Sequence, residues 1–377
     1  MKIKLFTLTF IILSLTFVKA QSSDKEIKFG GRIMYDMAIW ETTVGNEVTE
    51  MAGTEFRRVR LYNSGKLYGN LKYKLQLDFA GGKISYRDVW IELGGLPLHG
   101  SLRVGHFKEP LRLEALTSSK YITFMERALP IAFSPERNTG AMYQSSIDDR
   151  IEIQAGIFRE ADSFGNDKEA TNNVNMTGRI TYLAMNSNNR LLHLGAAMSK
   201  RKNSEHNYGF SVRPENHLGT KLLNPSFSDV DETNITGIEM AYVNGRFSIQ
   251  GEYVMTTVSA ETEYELNGYY GQISYFLTGE SRLYKNSYIG FNRVKPKSNF
   301  GANGKGAIEL AARISKMDLS KANLGTLDDM TVGVNWYLNP YTRVMLNYVI
   351  GDLIEGDGKG EVSTTENSMQ CRIQIDF

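Results

Sequence analysis

A single cysteine, Cys371, stands in 377 residues, so no intrachain disulfide framework can staple the fold. The 5 histidines (His99, His106, His193, His206 and His217) show no zinc-ligand spacing and no H-E-x-x-H arrangement. A G-x-S-x-G nucleophile elbow is missing as well. His106 shares parity with Leu102 and Val104, which suits a structural residue better than half of a Ser–His pair. No metal, cofactor or catalytic residue is therefore expected, and the chain does not read as an enzyme. The acidic tips Asp229–Glu232 and 357–361 read as solvated loop ends rather than calcium sites. Long hydrophobic runs are equally scarce. The one apolar stretch, Leu5–Val18, covers about 14 residues, short of the ~20 that a membrane-crossing helix needs. It follows the basic start Met1-Lys2-Ile3-Lys4 and precedes Ala20, which is the layout of a secretory signal peptide. Residues 1–20 are expected to be removed, leaving 21–377 as one domain. Three lysines go with the signal, so 40 basic residues face 42 acidic ones, and no excess of charge invites nucleic acid.

Prolines are also few, at 8, whereas tyrosine and glycine are plentiful at 20 and 35. Long strands broken by glycine turns and flanked by aromatic girdles would produce this balance. Periodicity two runs through the chain. Leu71, Tyr73, Leu75, Leu77 and Phe79 alternate with Lys72, Lys74, Gln76 and Asp78, and Val344, Leu346, Tyr348 and Ile350 repeat the pattern. A strand with one apolar and one polar face sits between two solvents. An exported chain without spanning helices is either soluble or a closed barrel, since only helices and barrels satisfy their backbone groups in lipid. The pattern predicts strands near 26–40, 54–68, 70–80, 84–94, 100–107, 140–147, 150–158, 173–185, 191–202, 234–244, 246–258, 265–277, 306–316, 328–338, 341–352 and 367–377. Tight turns at 68–70, 148–149, 244–245 and 339–340 alternate with longer polar stretches at 41–53, 159–172, 203–233 and 353–366. Short turns on one rim and long loops on the other suit an outer-membrane barrel, and an even strand number leaves both termini on the short-turn, periplasmic rim. In the last segment Met369, Cys371, Ile373, Ile375 and Phe377 share one face.

Leu102-Arg103-Val104-Gly105-His106-Phe107-Lys108-Glu109-Pro110 opens a long interruption of the pattern. It runs through Thr117-Ser118-Ser119, then Thr123-Phe124-Met125-Glu126-Arg127, to Phe133–Gly140. These residues resemble the phosphate-selective porin O and P family, in which a strand ending G-x-F-K-E-P leads into a T-S-S…T-F-M-E-R loop. Phe56-Arg57-Arg58, Arg213-Pro214-Glu215-Asn216-His217, Thr278-Gly279-Glu280-Ser281-Arg282 and Arg293-Val294-Lys295-Pro296 extend the likeness over most of the chain. The resemblance implies an outer-membrane barrel of sixteen strands, assembled as a homotrimer, with loops folded into the lumen. Here the segments 109–139, 203–233 and 278–305 are the candidates. A closing strand that ends on Phe377 resembles the element by which the barrel assembly machinery recognises its clients.

With the apolar face toward lipid, the polar face lines the lumen. That places Arg58, Arg60, Lys72, Lys74, Arg103, Lys108, Arg179, Arg246, Arg313, Arg343 and Arg372 inside, with Asp78, Asp88, Glu92, Glu152, Glu239, Glu252, Glu309 and Asp376. Arg58/Arg60 and Lys72/Lys74 lie on neighbouring strands and form a local basic patch. The loop 109–139 adds Arg112, Lys120, Arg127 and Arg137 against Glu109, Glu114, Glu126 and Glu136, and the later loop adds Arg213. Arginine suits phosphate through paired donors and lysine through a compact charge, and rings of charge at a constriction select ions. The expected function is passive diffusion of small hydrophilic solutes across the outer membrane, with preference for anions such as phosphate or polyphosphate. A general porin and a plugged structural or adhesion barrel are the alternatives. The 203–233 loop carries Arg213 and Lys221 beside five acidic residues, fewer inward arginines than family members that bind phosphate.

Overall fold

The computed structural model describes residues 25–167, 174–187, 189–202, 206–301, 303–356 and 363–377; the expected signal segment and the acidic tip at 357–361 lie outside them. Sixteen strands close into one antiparallel barrel, each hydrogen-bonded to its neighbours in sequence. They are β1 (Glu26–Val44), β2 (Glu47–Leu67), β3 (Leu71–Asp78), β4 (Ser85–Leu96), β5 (Gly100–Lys108), β6 (Arg137–Ile147), β7 (Ile151–Arg159) and β8 (Asn175–Ser187). The second half comprises β9 (Arg190–Lys202), β10 (Glu232–Asn244), β11 (Phe247–Ser259), β12 (Glu263–Phe276), β13 (Ala307–Asp318), β14 (Thr326–Asn339), β15 (Thr342–Ile354) and β16 (Ser363–Asp376). Every expected strand has its counterpart in order. Closure is made by β16, which pairs with both β15 and β1, Arg32 standing opposite Asp376. The Gly31 amide donates to the Phe377 carbonyl at 2.8 Å, so the last residue is tied to the first strand.

The alternation has the expected physical cause. Ile238, Ile273, Ile314, Met330 and Ile373 are exposed on the outer wall, while Glu239, Gln272, Arg313, Thr331 and Arg372 beside them are buried inside. A wall between lipid and a polar interior requires this arrangement. The stretch 41–53 departs from expectation. It is no loop: β1 continues to Val44 and β2 resumes at Glu47, turning at Gly45 and Asn46. Alternation is weak because residues 44–52, the tip of the hairpin, are exposed on both faces and need no apolar stripe.

The interior is filled unevenly. From the rim opposite the termini, segment 109–136 turns inward, carrying the one-turn helix Leu113–Leu116 and the 3-10 turn Leu129–Phe133. The following long segment, 206–231, folds down as a small hairpin, with Tyr208–Gly209 paired to Ser226–Phe227 and Val212 bridged to Leu223. The strand-like alternation of His206–Arg213 thus belongs to an inward loop and not to the wall. Inward-facing Val254, Val258, Leu266, Met317, Leu327 and Leu353 of β11–β15 pack against Leu111, Leu129 and Phe133 of the first loop and Val212, Leu223 and Phe227 of the second. Where the loops pack, toward the rim from which they enter, this side of the wall is therefore apolar on both faces. Lipid-facing side chains keep an apolar solvent, but these leave luminal water, at about 1.5–3 kcal/mol for each large side chain. Packing of this kind holds the loops against β11–β15, and the remaining space lies along β1–β6.

Candidate functional site

Opposite the packed loops, strand after strand turns basic residues inward: Arg32 from β1, Arg58 and Arg60 from β2, Lys74 from β3, Arg103 and Lys108 from β5, and Arg137 from β6. Arg127 joins them from the inward loop 109–136. Together they bound a cavity of about 210 Å³ whose lining carries 8 cationic side chains and 2 carboxylates, Asp88 and Glu136. A second cavity of about 310 Å³ lies toward the 206–231 loop and is lined by Arg57, Arg87, Arg213, Glu126, Glu215 and His217, among others. Arg58, Arg60, Arg127 and Glu136 bound both spaces.

Half of these cations are neutralised by close carboxylates. Arg60 Nε donates to Asp78 at 2.7 Å and Arg103 Nη2 to Glu92 at 2.5 Å. Asp88 accepts from Lys74 at 2.5 Å and from Arg137 at 2.9 Å, and Arg137 also holds Glu136 at 2.7 Å. The other four have no carboxylate within 4 Å among the described residues. Arg32 donates to the Ser119 hydroxyl at 2.7 Å. Arg58 reaches only the Met34 sulfur, at 3.8 Å, and its buried Nε has no acceptor. Lys108 donates to the Ala115 carbonyl, and Arg127 to the Glu114 and Thr117 carbonyls at 2.9 Å each. Burial disfavours charge on Arg127 and holds its guanidinium below the usual value, yet an arginine remains protonated. Four basic side chains turned toward one confined space, none in contact with a carboxylate, form a ready site for a small anion.

The surrounding segments fix this geometry. Glu126 of the loop accepts both Nε and Nη2 of Arg57 at 2.8 and 2.9 Å and also meets Arg372 at 2.8 Å. Burial would raise its carboxyl, but Arg57, Arg372 and Arg58 hold it well below the usual carboxylate range. Glu109 binds Arg201 at 3.0 Å and Glu114 binds Arg313 at 3.3 Å. The other side of the cavity is supplied from the terminal rim, where residues 284–291, between β12 and β13, also turn inward. Arg179 donates to the Ser287 carbonyl at 3.0 Å, Tyr284 lies 2.8 Å from His193 Nδ1, and Tyr288 accepts from Arg103. The two inward segments touch. Leu113 packs with Phe291, and at Gly290 (φ +70°) a Cβ would fall 2.2 Å from the Thr117 hydroxyl, so a side chain there would force them apart.

Of the residues expected from the sequence, Arg58, Arg60, Lys74, Arg103, Lys108, Arg127 and Arg137 meet around the first cavity, and Arg213 lines the second. Lys72 is not among them; it stands half-exposed, bound to Glu92 at 3.1 Å. Arg112 is buried within the loop packing against Glu252 and the Pro130 carbonyl. Lys120 lies beside Asp376, near Arg293. Three arginines escaped the sequence reading. Arg32 shares parity with Met34 and Asp36, and its alternation could have found it. Arg57 and Arg87 sit where the strand register shifts, between Met34/Tyr35 and Leu75/Leu77 of the facing strands. A bulge re-aims a side chain, so simple parity fails at both. His106 faces outward as expected, but it is buried, close to Thr139 and covered by Gly165.

The family described as phosphate-selective porin O and P matches residues 27–377. Porin O of Pseudomonas aeruginosa is 25% identical, over 88% of this chain and 84% of that protein. An uncharacterised protein of Caulobacter vibrioides is 27% identical, over 94% of this chain and 75% of its own length. Among solved structures, an anion-selective porin from Comamonas acidovorans superposes with a TM-score of 0.58 at 14% identity, covering 94% of this chain and all of that one. OprB of Pseudomonas putida gives 0.60 at 10%, covering 93% and 94%. The trimer form of OmpT from Vibrio cholerae gives 0.56 at 12%, covering 94% and 99%. These structural likenesses establish the shared barrel.

Proposed function

Because the chain belongs to the phosphate-selective porin O and P family, we propose that this outer-membrane porin passes small hydrophilic anions and holds phosphate briefly at the β1–β6 cavity. The observation that carries this reading is the set of basic side chains Arg32, Arg58, Lys108 and Arg127, close to one space and without carboxylate partners. Guanidinium forks can replace part of the hydration shell of a phosphate, and Lys108 adds a compact charge. The ion pairs of Arg60, Arg103 and Arg137 limit the site. They hold those side chains in place while lowering the net charge, so passage rather than tight retention follows. The solved relatives that support a channel include an anion-selective porin and a trimer, and a homotrimer is the assembly we assign. Phe377, exposed at the end of β16, would be the residue offered to the assembly machinery.

Single-channel recording in a planar bilayer under a salt gradient, with inorganic phosphate titrated in, tests the reading. The expected result is an anion-directed reversal potential and a chloride current blocked by phosphate. Conductance without preference or block would leave a general porin. Absence of conductance would leave a plugged barrel.

A further inference from the structure

The cavity of about 210 Å³ is larger than one inorganic phosphate requires, since about 10–15 Å³ of such space holds a water. Its lining is also not uniformly polar. Beside the four unpaired cations stand Trp90, Leu116 and Ile289, each from a different segment. Trp90 is held in place: the Arg103 guanidinium lies 4.2 Å from its ring and 4.4 Å from that of Tyr288, so the three side chains stack. Gly105, opposite Trp90 on β5, has φ +135°, and a Cβ there would lie 2.7 Å from the Trp90 backbone. The close approach of β5 to β4 at this point therefore depends on glycine. A bare phosphate makes no use of such a wall, because its surface is wholly charged and hydrated.

Resting on the anion-channel reading above, we propose that the site is fitted to phosphomonoesters bearing a compact apolar or aromatic group. The phosphoryl oxygens would meet Arg58, Lys108 and Arg127, and the organic part would lie along Trp90 and Ile289. Apolar contact removed from water adds to the charge-assisted bonds and does not weaken with salt as they do. The preference for an ester over free phosphate should therefore persist as ionic strength rises, while block by both anions weakens.

The test compares block of chloride current by phenyl phosphate and by inorganic phosphate in the full-length protein. Phenyl phosphate is expected to block at roughly tenfold lower concentration, the equivalent of about 1.4 kcal/mol, and the ratio should collapse toward unity in Trp90→Ala. Ile289→Ala, which lies outside the barrel wall, gives the same comparison if the tryptophan variant does not insert. Equal block by the two anions in the parent, or an unchanged ratio in the variant that inserts, would overturn the proposal while leaving the anion site intact. Failure of both anions to block would overturn the anion-site reading and this inference with it.

Discussion

Arg58 and Arg112 look equivalent in a sequence and have opposite surroundings in the barrel. Arg58 reaches a sulfur and a cavity, whereas Arg112 is enclosed by Glu252 and the Pro130 carbonyl. Arg58→Gln removes charge from the site while keeping a polar side chain. It should lower anion preference in reversal-potential measurements and weaken phosphate block roughly tenfold, within the range for a charged hydrogen bond. Arg112→Gln should leave ion preference unchanged and lower the temperature of the heat-induced mobility shift, since removing one partner of a buried pair costs about 3–5 kcal/mol. Alternation alone placed Arg58, Arg60, Lys74 and Arg103 inside, because a strand has only two faces. It could not sort Arg112 from Arg127, because their loop has no period. It also could not see that Glu252, 140 residues from Arg112, would claim its charge.

At the scale of elements, the inward loop is clipped to the wall by acidic residues reaching to distant arginines. Glu126 bridges Arg57 on β2 and Arg372 on β16, across the seam where the barrel closes. Glu126→Gln should loosen the loop and give a larger, noisier open-channel current. Acid should act similarly. The Glu126 carboxyl is depressed in the folded state, so its contribution is complete above the unfolded value near pH 4.3 and is lost as pH falls through the lower folded value. Recordings should therefore stay quiet on moving from pH 7 to about 5 and grow noisy only in stronger acid, with the glutamine variant noisy throughout. The strands themselves were legible because each repeats one pattern many times. The bulges at Arg57 and Arg87 were not, since one extra residue leaves no mark on composition.

For the whole molecule, the outer wall and the inner packing answer to different solvents. Ile238, midway along β10, is 59% exposed on the lipid side. Ile238→Arg at such a depth should destabilise the barrel by about 2–4 kcal/mol, measurable by reversible unfolding from phospholipid vesicles, without changing ion preference. Val254, also on a wall strand, faces the buried loops instead, and Val254→Arg should disturb the channel as well as stability. The meeting of the two inward segments, one entering from each mouth, has a consequence for the order of assembly. Segment 109–136 emerges early and meets Arg57 and Arg201, yet its partners Glu252, Arg313, Arg372 and Phe291 belong to the last third of the chain. A barrel built hairpin by hairpin must therefore carry that loop only partly anchored, through Arg57 and Arg201, until β16 meets β1, so the selective site matures last, and an incompletely closed barrel would present a poorly guarded hole rather than a slower version of the finished channel.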